Sequence, residues 1–246
     1  MFGTIHSSHS MVRDLPVPVT EALAASEVFL PELELSPENV GRMLAAVFDW
    51  EGSRLEERLP DELRERVRRT TRRLGLPDLM LRNISFEMLP FFLAQPPGGN
   101  FNQIVDVQLY RAANEHGLEI VPLETLEEQM DVFQNLDEAT TLELIRDALD
   151  EAESGYPSYR KLVGLYASGD EKAAYSLLQE LKQDTPEAFR DALFSDRNRT
   201  MIERARPHLE QGNAFIAVGL GHFLGETGII TLLRNEGYEV RRVERD

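Results

Sequence analysis

Two of the five histidines in this 246-residue chain stand three positions after a glycine, one near each end of the sequence. Gly3-Thr4-Ile5-His6 follows Met1-Phe2. Gly219-Leu220-Gly221-His222 follows the apolar run Ala214-Phe215-Ile216-Ala217-Val218. Both runs read as strands, so each histidine falls just past a strand end, where open α/β sheets collect ligand-binding residues. Two imidazoles and one carboxylate make a divalent-metal site that leaves positions open for water and substrate. The candidate carboxylate is Glu32, at the end of the run Glu27–Leu33, on the same rim of the sheet if the strands are parallel. An ion held by His6, Glu32 and His222 would lower the pKa of a bound water towards about 7. Glu32 is a candidate ligand and equally a candidate general base. A glycine ahead of each histidine is expected to let the backbone turn sharply there.

Other constellations carry less. His9 follows Ser7-Ser8 in a loop and is a weak second candidate. His116 and His208 fall at helix ends, where the dipole favours a cation, and neither is assigned a role. Gly219–Gly228 is glycine-rich between a strand and a helix, but it has neither the lysine of a P-loop nor the spacing of a dinucleotide fingerprint. No Gly-x-Ser-x-Gly elbow occurs. With no cysteine in the chain, disulfides, thiolate zinc sites and cysteine nucleophiles are excluded.

The elements that must position these residues alternate. Strands are expected at Met1–Ile5, Glu27–Leu33, Leu118–Leu123, Ala214–Val218 and, at an edge, Glu239–Val243. Helices are expected at Val19–Ala25, from Pro37 behind a Ser36 cap, at Ser85–Gln95 bent at Pro90, at Ile104–His116 closed by Gly117, and after Thr125. Asp137, Asp170 and Thr185 are N-cap candidates in a long helical stretch. Further helices span Arg197–Gln211 and Gly225–Glu236. This order predicts an α/β fold: a largely parallel central sheet with surrounding helices. One domain covers 1–246, with helical cap insertions at about 37–101 and 137–193. Ser85–Gln95 is read as core. Arg64–Arg73, six arginines against one glutamate, is read as a solvated face paired with nearby acids.

The charge of -17 argues against nucleic acid as a partner and favours cations near the surface. Thirteen acids against the single base Arg146 lie between Glu115 and Ser154 and supply much of it. No run reaches the roughly 18 apolar residues of a membrane span. Phe2 is already followed by the Gly3 turn, where a first strand usually runs longer, about 5–6 residues, so upstream sequence is expected to be missing; as written the chain reads as cytoplasmic, and with a segment missing the lack of a signal says little about compartment.

Phe2-Gly3-Thr4-Ile5-His6, Glu32-Leu33-Glu34, Leu123-Glu124-Thr125 with Gln129, Arg197-Asn198 with Met201, and Val218–His222 through Gly225-Glu226 to Leu233 and Gly237-Tyr238 together resemble the TraB/GumN/Tiki family. The resemblance spans nearly the whole chain, and the paired tetrads are the family's hallmark. It implies a fold shared with erythromycin esterase-like and ChaN-like proteins. For the Tiki branch it implies a metal-dependent peptidase using manganese or cobalt. By matching positions, Glu32 is the strand-end acid and Arg197-Asn198 the family's Arg-Asn pair, with Arg197 suited to an oxyanion or a substrate carboxylate. The resemblance also implies a cell-envelope or secreted location if an N-terminal segment is missing.

The resulting expectation is a metal-dependent hydrolase, a peptidase by resemblance. Catalytic residues are Glu32, Arg197 and Asn198, and metal ligands are His6, Glu32 and His222. The cofactor is a divalent ion (manganese, cobalt or zinc), and the partner is a peptide or other small substrate, with a homo-oligomer as an option. Two rivals stay open: a non-catalytic binding protein for a peptide or haem, and a metal-independent esterase-like hydrolase.

Overall fold

The computed structural model describes residues 1–48, 55–181 and 187–243. Four strands, β1 (Phe2–Thr4), β2 (Val28–Pro31), β3 (Glu119–Ile120) and β4 (Ala214–Gly219), form one sheet in the order β1-β4-β2-β3. Every pairing is parallel, so the chain has the expected α/β architecture. Thr4 lies opposite Gly219 and Pro31 opposite Ala217. The ends of β1, β4 and β2 therefore open onto one rim, and the residues just after them (His6, Leu220–His222 and Glu32) share it. Pro31 closes β2, consistent with its missing N–H, and the ladder resumes when Glu32 N–H donates to the Ala217 carbonyl at 3.1 Å.

The described chain divides into two compact units. The first comprises Met1–Leu35, Asn100–Leu126 and Leu162–Asp246 and carries the sheet. Its central strands are apolar throughout because both faces are covered. Val28, Leu30, Ile216 and Val218 pack with Met201, Ile202 and Ala205 of the helix Asp196–Gln211 and with Ile229 and Leu233. On the opposite face Phe29, Phe215 and Ala217 pack with Leu23 and with Val105, Leu109 and Ala113 of the helix Val105–His116. Period-two alternation thus supplies two cores from one pair of strands.

The second unit comprises Ser36–Gly99 and Glu127–Lys161. Its core gathers Leu55, Leu59, Leu63, Val67, Leu89 and Leu93 with Ile145 and Leu149. The arginine-rich helix Asp61–Arg73 is paired, as expected, and mostly with more distant acids: Arg66 with Asp150 and Glu153, Arg68 with Glu56, and Arg69 with Glu153. Ser36, Asp137 and Asp170 cap their helices by accepting from Asn39, Thr140 and Ala173 N–H. Gly117 ends its helix in the left-handed region at φ 71°.

Three expected elements differ. Ser85–Gln95 buries Phe86, Met88, Leu89 and Leu93 but is not a bent helix: only Leu89–Leu93 is helical, and Pro90 occupies its first turn, where a missing N–H costs nothing. The helix expected from Gly225 begins at Ile229, because Gly225 sits at φ 96° and Gly228 packs against the Phe223 and Leu224 backbone. Glu239–Val243 is not a strand. Only Val240 is even partly buried, so the alternating pattern does not cover a face. Thr185 lies outside the described residues.

Candidate functional site

The C-terminal rim of the sheet brings His6, Glu32 and His222 together within the first unit. His6 follows β1. Glu32 follows β2 directly. His222 ends a single 3-10 turn, Leu220–His222, which begins where β4 stops. The Glu32 carboxylate lies between the two rings: Nε2 of His6 is 3.9 Å from its Oε2, and Nε2 of His222 is 3.9 Å from its Oε1. The side chain of His6 is 59% exposed and that of His222 5%, so the cluster is open on the His6 side.

The opposite nitrogen of each ring is held from behind. Nδ1 of His6 lies 3.1 Å from Oδ2 of Asp106, in the first turn of Val105–His116. Buried Thr4, on β1, donates to Oδ1 of Asp106 at 2.6 Å. Nδ1 of His222 lies 2.7 Å from Oδ1 of Asn198. Asn198 Nδ2 donates to the Thr227 carbonyl at 2.8 Å, which turns the amide oxygen towards His222. The ring nitrogen facing that oxygen therefore carries the hydrogen. This tautomer puts a neutral ring's lone pair on Nε2.

Arg197 binds the acids together. Its Nε and Nη2 donate to Oε1 and Oε2 of Glu124 at 2.7 and 2.6 Å, and Nη2 also donates to Oε1 of Glu32 at 2.6 Å. Nη1 reaches the Leu193 carbonyl at 3.2 Å. Oε2 of Glu32 accepts the Gly219 N–H at 3.0 Å. Arg197 and Asn198 open the helix Asp196–Gln211 immediately after a π-helical turn, Asp191–Ser195. Such turns shift the register of a helix and concentrate at functional sites. Ser195 Oγ, inside that turn, lies 3.1 Å from Thr227 Oγ1, next to the carbonyl that orients Asn198.

The glycines before the histidines are needed for space. Gly219 has an ordinary φ of -53°, so the expected sharp turn is not its role. A Cβ there would lie 3.2 Å from His6 Nε2 and 3.6 Å from Glu32 Oε2. A Cβ on Gly3 would meet Leu220 Cδ1 at 3.1 Å and Phe223 at 3.3 Å. Only a residue without a side chain lets the two strand ends come this close.

The electrostatics follow from this packing. Burial pushes the Glu32 carboxyl up, but His222, His6, Arg197 and the Gly219 N–H outweigh it and hold it at about 2. Asp106 raises the His6 imidazole to about 10 against the opposing effect of burial, with Glu32 adding to the rise. The cluster holds three carboxylates, Glu32 and Glu124 on Arg197 and Asp106 on His6, against one guanidinium, so with both rings neutral it is short of two positive charges. Two imidazole protons or one divalent cation would supply them. Among the described residues no group of three or more His, Asp or Glu side chains stands in a metal-holding arrangement. The donor set nevertheless fits a divalent ion in kind: two imidazoles with Nδ1 held by Asp106 and Asn198, a carboxylate between their Nε2 atoms, and a matching charge deficit.

Asp106 and Glu124 are the members that sequence reasoning missed. Asp106 looks like an ordinary acid on a helix dipole, and Glu124 lies in a strongly acidic stretch. The one hint for Glu124 is its place straight after a strand-like run, the same position that singled out Glu32.

The model of the TraB/PrgY/gumN family matches residues 1–242. A protein named metalloprotease TIKI1 from Danio rerio is 25% identical over 295 residues, covering 98% of this chain and 60% of that protein. A metalloprotease TIKI homolog from Amphimedon queenslandica is 25% identical over 301 residues, covering 99% of this chain and 59% of that protein. The chain thus spans about three fifths of the length of these relatives. No solved structure matches it. Because the family match runs through both Gly-x-x-His segments and the sheet between them, the chain belongs to the TraB/PrgY/gumN family.

Proposed function

We propose that the chain is a metal-dependent hydrolase acting on peptides, with His6, Glu32 and His222 as the metal ligands. The observation that carries this reading is the pair of imidazoles backed at Nδ1 by Asp106 and Asn198, with Nε2 of each 3.9 Å from a shared carboxylate. The names of the TIKI relatives support the metalloprotease class. A divalent ion bound there would supply Lewis acidity to a water and to a scissile carbonyl.

The chain's own residues divide the remaining work. A carboxyl held at about 2 is a feeble proton acceptor at neutral pH, which favours Glu32 as ligand over Glu32 as base. Arg197, tied to two carboxylates, is a positioning residue for Glu32, and Asn198 is one for His222. His6 offers the exposed side from which substrate arrives.

The test is cleavage of a mixed peptide library by the full chain, before and after chelation. Chelation should abolish cleavage, and manganese, cobalt or zinc should restore it. His6→Ala, at an exposed side chain, should stay folded and inactive. Cleavage indifferent to both the chelator and His6→Ala would overturn the proposal.

A further inference from the structure

A cavity of about 570 Å³ opens beside β1 on the first unit, and none of the acids of the candidate site lines it. Its walls include Phe2, Val19, Phe215, Leu220, Phe223 and Ile230. The volume falls within the range of pockets that hold small organic ligands, roughly 300–1,000 Å³. Apolar walls alone would leave the occupant open, but the charge of the lining narrows it. Lys172, Arg234, Arg241 and Arg242 are among its lining residues, and Glu171 is the single acid among the described ones. This reverses the balance of the whole chain, which has 43 acids and 26 bases.

Two of the cations are already matched. Arg242 lies 3.2 Å from Glu171, and Arg241 lies 2.6 Å from Glu239. Arg234 donates to the Val240 carbonyl and, like Lys172, forms no ion pair among the described residues. Two exposed cations without acidic partners therefore line an apolar cavity, on a chain whose overall charge repels anions. We infer that this cavity binds a single-chain anionic amphiphile of the long-chain carboxylate class, with the alkyl chain against Phe2, Phe215 and Phe223 and the carboxylate at Lys172 and Arg234. The inference does not rest on the proposed hydrolase reading, because none of the candidate ligands lines the cavity.

The experiment is calorimetric titration of the full chain with octanoate, decanoate, laurate and myristate below their aggregation limits, alongside the alcohols of equal length. Binding should be one to one and should tighten by about fourfold per methylene until the cavity is filled. The alcohols should bind about tenfold more weakly, and so should the carboxylates to the Lys172→Glu, Arg234→Glu double variant. Both of those side chains are exposed, and the fold is checked by circular dichroism. Ala22→Trp, at another exposed lining position, should shorten the longest chain accepted. No saturable binding of any carboxylate by the unmodified chain would overturn the inference. So would alcohols that bind as tightly as the acids, or an affinity unchanged by the double charge reversal.

Discussion

Arg197 sets the charge balance of the site, because one guanidinium serves both Glu32 and Glu124. The side chain of Glu124 is 2% exposed, so Glu124→Gln leaves Arg197 paired with Glu32 but sets an amide N–H against a guanidinium N–H where a carboxylate oxygen accepted. A hydrogen bond to a charged group contributes about 1.5–3 kcal/mol, and denaturant unfolding of the variant should show a loss of that order. Acid should act on Glu32 in a defined window. Its carboxyl is held at about 2 against an ordinary 4.5, so its contribution to stability is full above pH 4.5 and disappears as pH falls through about 2. The unfolding midpoint of chelator-treated protein should fall over that range, and Glu32→Gln should flatten the fall; parallel curves would contradict the assignment. His6 runs the other way. Raised from 6.5 to about 10, it contributes fully below pH 6.5 and loses its effect as pH rises through about 10, with solvent screening weakening the effect at an exposed ring. At this scale His6, Glu32 and His222 were legible because each follows a strand-like run. Asp106 and Glu124 were not, since a first-turn acid and an acid in an acidic stretch have ordinary explanations until coordinates place a histidine or an arginine beside them.

Elements gave up their identity more readily than their ends. The buried strands β2 and β4 announce themselves as continuous apolar runs, and Ser36, Asp137 and Asp170 cap helices where short polar side chains precede them. The alternating run Glu239–Val243 misled because strand periodicity is only half of the requirement: Val240 alone is partly buried against the core, and Val243 is exposed. The glycine of the second tetrad was legible as special, but its reason is a distance that no sequence displays: the 3.2 Å between a would-be Cβ and His6 Nε2. Gly219→Ala should therefore fold, since its φ of -53° suits any residue, and should weaken divalent-ion affinity by about tenfold. Gly41→Ala is the matching control. It lies inside the helix Pro37–Val47 with nothing within 4 Å of a would-be Cβ, and it should stabilise by about 0.5–1 kcal/mol without changing ion affinity. Equal ion affinities for the Gly219→Ala and unmodified proteins would show that the close approach is not needed.

Across the whole chain, the parallel α/β class followed from alternating strand and helix patterns, whereas the order β1-β4-β2-β3 did not. Pairing of Phe2–Thr4 with Ala217–Gly219 joins the two ends of the sequence, and no local preference encodes so distant a partner. That one pairing turns two separate Gly-x-x-His tetrads into a single site. Among the described residues no helix is long and apolar enough to cross a membrane. The charge of -17 should raise the local concentration of divalent cations, and added salt should screen the effect. The most direct measurement is elemental analysis of the full chain after loading with manganese, cobalt or zinc and removal of free ion. The account predicts about one ion per chain for at least one of these metals, lost in His6→Ala and in His222→Ala while both variants keep their circular dichroism. No retained ion with any of the three metals, or an equal content in the unmodified chain and both variants, would contradict it.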